Sequence, residues 1–485
     1  MLPEKIFLFV KKKTKKVFIF MPTWCIIKNR LITLGDVLMN KYGFVHFVGI
    51  GGISMSGLAK IMLNRGVMVS GSDTGDNKEI RELKSLGAII SNGHDAANIK
   101  NQDLVVYTAA VKQDNPELVA AREKGIETVD RATMLGWIMK DYENAISVAG
   151  THGKTTTTSM LACILVKSML DPTVMVGGEL DFIGGNFRMG NSKWFITESC
   201  EYCRSFLKFF PKIALILNIE EDHLDYYKDI NDIISAFSDF AALVPKDGAV
   251  IALGGNENVQ KALDGAKGKV YTFGLKDADF VPEHIIYSYD GCASFDVRYK
   301  GDRLVTVSLS VPGEHNVLNA VAAVAAAYVM NIKMEFVKAG LEAFKGTHRR
   351  FERKGKLNGA LVVDDYSHHP TEIRAMLAAA AKVEHNKLWC VFQPHTYTRT
   401  YTLFDEFVDA LSGAGNVILA DIYAAREKDN GLVSSAQLAG KIPGALYMKD
   451  FAQIEDYLRK NVSEGDLVIT VGAGNVVQIA EDITK

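Results

Sequence analysis

The sequence predicts an α/β protein of three domains in series. Its 485 residues, at roughly 150 per domain, leave room for three. Two glycine loops, Gly49–Gly52 and Gly150–Gly153, each follow a short apolar strand and open a segment of helix length. Past Arg349, apolar strands again alternate with helix-length segments, the pattern that folds into mostly parallel sheets.

The first domain is expected over 39–143. Val45–Val48 is a β-branched and aromatic strand, Gly49–Gly52 a tight turn, and Ser54–Arg65 a helix that Gly66 stops. Strands follow at Val67–Val69, Ala88–Ile90, Leu104–Tyr107 and Glu127–Val129, with helices between them, giving a doubly wound sheet. The second domain, 144–347, opens with a strand at Ala145–Ala149 and continues with strands at Trp194–Thr197, Ile213–Asn218 and Ala249–Ala252. Its Ala-rich stretch Asn319–Met330 reads as a closely packed helix. The third domain, 348–485, carries strands at Ala360–Val363, Leu388–Phe392, Asn416–Ala420 and Leu467–Thr470.

With 48% hydrophobic and 23% charged residues, 41 Gly and 11 Pro, the chain is neither collagen-like nor wholly disordered. A net charge of −2 argues against a nucleic-acid partner. The charge is uneven. In residues 1–38 eight Lys or Arg face only Glu4 and Asp36, so this leader carries +6 and the remainder −8. Its lysines precede an apolar run, Val17–Ile27, that Pro22 interrupts and Lys28 and Arg30 follow; the run is too short to span a bilayer. The leader is expected to lie outside the fold, with translation starting at Met39; a membrane-surface arm and a secretory signal are the alternatives. The body, lacking an apolar run of about 18 residues, is expected not to insert in a membrane. Six scattered cysteines suit a reducing cytoplasm, and Cys200-x-x-Cys203 is expected to be two bystander thiols. The sequence does not disclose oligomeric state.

The first glycine loop suits a diphosphate nucleotide, because a helix N-terminus presents free N–H groups to phosphate. Asp73, about 20 residues on, stands where a dinucleotide fold places its ribose-binding acid, but Ser54 replaces the third glycine of the fingerprint. The second loop, Gly150-Thr151-His152-Gly153-Lys154-Thr155-Thr156, is the strongest motif. Its amides can cradle phosphates, Lys154 can reach the β/γ-phosphates, and Thr155 suits magnesium. It is shorter than G-x-x-x-x-G-K-[ST], with Val at 148. Two strands run into acids, Glu198 and the string Glu220–Asp225, and both are expected at the carboxyl edge beside the phosphate loop. Oxygen ligands there suit magnesium. His223, taken alone, reads as a ligand or as a loop residue beside one.

These strings occur in order with His315-Asn-Val-Leu-Asn-Ala320, Gly346-Thr-His-Arg-Arg-Phe-Glu352, Asp364-Asp-Tyr-Ser-His-His-Pro370 and Gln393-Pro-His-Thr-Tyr-Thr-Arg-Thr400. Together they resemble the Mur ligase family over residues 40–485, and within it the branch that adds L-alanine to UDP-N-acetylmuramate. The resemblance implies a Rossmann-like N-terminal domain for the UDP-sugar, a central P-loop-type ATPase sheet, and a Rossmann-like C-terminal domain for the amino acid. It implies that the muramoyl carboxylate attacks the γ-phosphate of ATP and that the alanine amine then attacks the acyl phosphate, in cytoplasmic peptidoglycan precursor synthesis. ATP and Mg²⁺ are the implied cofactors.

By the same resemblance, Gly150, Thr151, His152, Gly153, Lys154, Thr155 and Thr156 hold the phosphates, while His315 and Asn316 hold the adenine. Arg350 reaches the γ-phosphate, and Thr155, Glu198 and His223 hold magnesium. Gly49, Gly51, Gly52, Ser56 and Asp73 are expected at the UDP-sugar. Tyr366, His368, His395 and Arg399 are expected near the alanine, with Arg399 suited to its carboxylate. Lys154, Arg350 and His368 are expected to carry catalysis. The ribose contact falls on Asp364 or Asp365, and His369 is expected to be structural. Three departures stand out: Thr396 where some relatives have Arg, Cys200 and Cys203 in a string that is more acidic in other members, and Asn475 where Asp is expected. The nearest rival is a related ligase that adds a peptide to UDP-N-acetylmuramate. An NAD-dependent oxidoreductase would leave Lys154, Glu198 and Arg350 unused, and a non-catalytic sensor of such ligands would consume no ATP.

Overall fold

A computed structural model describes residues 41–485 apart from 109, 225, 426 and 430, together with the backbone of 11–12 and 15–16. In the leader, β1 (Lys11–Lys12) pairs antiparallel with β2 (Lys15–Lys16). The expectation of a start at Met39 lies outside the described residues.

The N-terminal sheet contains β3 (Phe44–Val48), β4 (Met68–Asp73), β5 (Ile89–Asn92), β6 (Leu104–Tyr107) and β7 (Glu127–Asp130). They are ordered β5-β4-β3-β6-β7, and every pair is parallel. The order reverses beside β3, so the turn Gly49–Gly52 and the helix Ile53–Asn64 face the crevice where doubly wound folds take ligands. Gly49, at φ +81°, makes the turn, and its N–H donates to Ser72 O at 2.8 Å. On the far side of that helix Gly57 lies against Met175 and Phe187 of the central domain, so the two domains share one apolar core.

The central sheet has ten strands. Six form a parallel block: β8 (Asn144–Ala149), β9 (Thr173–Leu180), β11 (Trp194–Glu198), β12 (Ile213–Ile216), β13 (Ala249–Leu253) and β14 (Lys269–Phe273). One edge adds β10 (Gly185–Arg188), antiparallel to β9. The other adds β15 (Phe280–Tyr287), β16 (Cys292–Tyr299) and β17 (Asp302–Pro312), an antiparallel meander. That meander, together with β9, β10 and β14, was not expected from the sequence. The Ala-rich helix runs from Glu314 to Val329, longer than expected, and the small side chains of Ala320, Ala323 and Ala327 let its stretch Ala320–Ala327 bury completely.

The C-terminal sheet comprises β18 (Glu352–Leu357), β19 (Ala360–Asp365), β20 (Leu388–Phe392), β21 (Asn416–Leu419), β22 (Leu446–Tyr447) and β23 (Leu467–Val471). Their order is β18-β19-β23-β20-β21-β22, and only the edge strand β18 is antiparallel. Among the described residues no helix is long and apolar enough to cross a membrane.

Candidate active site

Strands of the central and C-terminal sheets end at one cavity of about 700 Å³. The loop after β8 brings Thr151–Thr156, β11 ends on Glu198, and the loop after β12 brings Asn218, Glu220, Asp222 and His223. His315 and Asn316 enter from the Ala-rich helix. From the domain junction and the end of β19 come Arg350, Asp365, Tyr366, His368, His369 and Glu372. A second cavity, about 490 Å³, lies at the opposite edge of the central strands beside Asn144, Trp194 and Ala249, away from every motif residue.

The loop Gly150–Thr156 is held both by its neighbours and by its own lysine. Asn218 accepts from His152 N–H at 2.7 Å and donates to His152 O at 3.1 Å. Gly153 has φ +83°, and a Cβ there would come within 2.7 Å of Asn319 Oδ1, so only glycine fits before the helix Lys154–Lys167. Lys154 Nζ reaches back to Thr151 O at 3.1 Å and lies 3.0 and 3.1 Å from the two oxygens of Glu201. Burial alone would lower the Lys154 ammonium, but the Glu201 carboxylate overrides it and leaves the group above its ordinary value. Glu201, 3% exposed, was not expected to be functional; its only sequence signal is its place three residues after Glu198.

Thr155 donates to Glu198 Oε2 at 3.0 Å, and Gly177 N–H donates to Oε1 at 2.5 Å. Burial raises the Glu198 carboxyl against these bonds. A carboxylate held at such a cost beside a hydroxyl is a hard-oxygen donor set that fits magnesium. The structure brings His223 to a different pair of acids: its Nε2 is 3.7 Å from Glu201 and from Asp222, and the backbone there has φ +55°. Glu201, Asp222 and His223 bring ligand atoms within 4.8 Å of one another, as do His152, Glu220 and His369. The second trio is an ionic network instead. His152 lies 3.2 Å from Glu372 and 3.4 Å from Glu220; burial opposes its charge, yet the two carboxylates raise it to about 9. A protonated imidazole donates and does not ligate.

Glu372, in the first turn of the helix Pro370–Ala380, is the other residue that was not expected. It meets His152, accepts from His368 N–H at 3.1 Å, and lies 3.8 Å from Arg350. Burial would raise it, but His368, His152 and Arg350 hold it well below the usual carboxylate range. Arg350 also sits over the Tyr366 ring at 5.3 Å. Burial lowers both His315 and His368. His368 Nδ1 lies 3.0 Å from Tyr366 O, and a carbonyl can only accept, so Nδ1 carries the proton and Nε2 is left as the base. The two aspartates differ in setting. Asp364 is fully buried and taken by Arg349 Nε at 3.0 Å and Thr470 at 2.7 Å, whereas Asp365 lines the cavity while accepting from the N–H groups of Phe351 and Ser367, each at 2.8 Å.

His368 and His395 lie 5.8 Å apart between ring centres, and His395 stacks on Tyr423. Arg399 Nη1 is 3.2 Å from His395 Nδ1 and its Nη2 is 3.5 Å from Asp222. Burial, with His368 and Arg399, pushes His395 down to about 4. His369 caps the helix Pro370–Ala380 by accepting from Thr371 N–H. Thr396 caps the short helix carrying Arg399. Asn475 accepts from Gln393 at 2.9 Å, and Gly472 and Gly474 give their carbonyls to Arg349, so that stretch fixes the domain junction.

The expected UDP-sugar residues gather at the N-terminal crevice in uneven roles. Asp73 accepts from Gly51 N–H at 2.9 Å and closes the loop. Gly52 is the helix N-cap and leaves the helix N-terminus without a side-chain cap. Ser56 is fully buried and donates to Ile53 O at 2.9 Å, so its hydroxyl faces the helix. Beside the loop, Glu117 is fully buried and bonded to His46, Ser72, His94 and Asn98. Burial raises this carboxyl, but those bonds outweigh it and hold the group at about 2.

Three family models match in order: the Mur ligase family catalytic domain over 44–143, the Mur ligase middle domain over 148–327, and the Mur ligase glutamate ligase domain over 349–474. A protein of Clostridium botulinum named UDP-N-acetylmuramate–L-alanine ligase is 50% identical over 92% of this chain and 98% of its own length. A ligase of the same name from Acetivibrio thermocellus is 52% identical over 92% and 96%. Among solved structures, the UDP-N-acetylmuramate–alanine ligase of Thermotoga maritima has a TM-score of 0.76 at 30% identity, over 90% of this chain and 97% of that one. A murein peptide ligase from Psychrobacter arcticus has 0.68 at 25%, over 91% and 98%. With its three regions matched in sequence and half its residues shared with such relatives, the chain belongs to the Mur ligase family.

Proposed function

We propose that this protein is an ATP-dependent ligase that joins L-alanine to the lactyl carboxylate of UDP-N-acetylmuramate in peptidoglycan precursor synthesis. The observation that carries the reading is the single cavity in which the phosphate loop of one domain faces Arg350, Tyr366 and His368 of the next. The relatives named UDP-N-acetylmuramate–L-alanine ligase support the substrates. On this reading residues 39–143 bind the UDP-sugar, 144–347 bind ATP, and 348–485 bind the amino acid.

The chemistry brings a carboxylate up to a triphosphate, and anions repel unless fixed cations meet them. Lys154, released from Glu201, and the N–H groups of Gly150–Thr156 hold the phosphates. Arg350, positioned by Glu372 and Tyr366, meets the γ-phosphate from the domain junction. Thr155 and Glu198 would hold Mg²⁺, which supplies positive charge to screen both anions, whereas His223 clusters instead with Glu201 and Asp222. His315 and Asn316 take the adenine and Asp365 the ribose. Gly49, Gly51, Gly52 and Asp73 shape the crevice for the UDP-sugar. Arg399 takes the alanine carboxylate, with Tyr366 and His395 beside it. His368 Nε2, kept neutral by burial, accepts the proton that the attacking amine sheds.

Phosphate release tests the reading directly. It is expected only when ATP, UDP-N-acetylmuramate and alanine are all supplied. Release with a cell-wall tripeptide but not with alanine would replace this reading with that of a peptide-adding ligase.

A further inference from the structure

An ion pair crosses between domains where the amino acid is placed. Asp222, in the central domain, lies 3.5 Å from Nη2 of Arg399, in the C-terminal domain. Both side chains are largely shielded, at 14% and 17% exposure. Each has a second anchor: His223 N–H donates to Asp222 Oδ1 at 2.7 Å, and Arg399 Nη1 lies 3.2 Å from His395 Nδ1. The contact is a single long one rather than the bidentate fork that Arg and a carboxylate can form. It is also close to the phosphate machinery, since Asp222 clusters with Glu201, which holds Lys154.

An α-amino acid carries an ammonium and a carboxylate on one carbon. A pocket offering Arg399 alone would take any small carboxylate and would leave the ammonium desolvated and unpaired, which is costly in a shielded site. An Asp beside the Arg presents both complementary charges at once. Resting on the alanine-adding reading, we propose that Asp222 is a specificity-determining residue that holds the α-ammonium while Arg399 holds the α-carboxylate. The interdomain ion pair is exchanged for two ion pairs with the zwitterion, so the bound amino acid bridges the two domains. In its absence the two side chains neutralise each other.

Steady-state kinetics of Asp222→Asn and Asp222→Glu, with L-lactate as a competitor of alanine, test this. Lactate keeps the carboxylate and puts a hydroxyl where the ammonium stands. Asp222→Asn retains an oxygen for His223 N–H. It is expected to raise the alanine KM by about 10- to 100-fold, the size of a lost charge-assisted bond. The KM values of ATP and UDP-N-acetylmuramate are expected to stay within about twofold. Lactate should inhibit the variant at least as well as the wild type, because Arg399 is freed. Asp222→Glu should recover part of the alanine affinity. An unchanged alanine KM, equal weakening of alanine and lactate, or a parallel rise in all three KM values would each overturn the proposal. The wild-type control separates this from the underlying reading: failure to use alanine at all would overturn the function itself.

Discussion

Lys154→Ala is expected to lower phosphate release by about 1,000-fold, the scale of losing a fixed donor aimed at transition-state charge. The same substitution should also destabilise the fold, for a different reason. Glu201 is 3% exposed and both its oxygens lie on Lys154 Nζ, so removing the lysine strands a buried carboxylate. Breaking such a pair from one side costs about 3–5 kcal/mol. The double variant Lys154→Ala with Glu201→Gln separates the two effects. Urea unfolding should show much of the stability restored, while phosphate release stays lost. If the double variant turned over normally, Lys154 would have only a structural role.

The second large effect is one of pH. His152 titrates at about 9 in the folded protein against an ordinary 6.5, because Glu220 and Glu372 outweigh its burial. A raised value means that the folded state holds the proton more tightly than the unfolded chain. The contribution, about 3 kcal/mol, is therefore complete below about pH 6.5 and is lost as pH climbs through 9. Part of it docks one domain on another, since His152 belongs to the phosphate loop and Glu372 to the C-terminal domain. Unfolding midpoints should fall between pH 6.5 and 9.5, and small-angle scattering should show a larger radius of gyration at the upper end. Glu372→Gln should weaken docking at pH 7 and flatten that dependence. Equal compactness and stability at both pH values, in wild type and variant alike, would show that the His152–Glu372 pair does not dock the domains.

What was legible in the sequence follows from how each feature is encoded. The phosphate loop and the parallel strands around it were readable because glycine turns and continuous apolar runs are local signals. The meander β15–β17 was not expected, although Val305, Val307, Leu309 and Val311 alternate as a half-buried strand does. Pro282 and the polar residues of β15 obscure its start. Glu201 and Glu372 were hidden for another reason. Each is a carboxylate among many, and only folding brings it to Lys154 or to His152 and Arg350. Asp364 and Asp365 are neighbours in one strand, and period-2 alternation sends the first to Arg349 and the second to the cavity. The family resemblance located both aspartates but did not distinguish them.

On the proposed function, the cavity phosphorylates a carboxylate and then passes the acyl group to an amine. Isotope transfer tests it most directly. UDP-N-acetylmuramate labelled with ¹⁸O in its lactyl carboxylate is incubated with ATP and alanine, and the released phosphate is weighed by mass spectrometry. Passage through an acyl phosphate predicts one ¹⁸O in each phosphate released and one retained in the amide. Unlabelled phosphate, formed while the amide accumulates, would rule out the acyl phosphate.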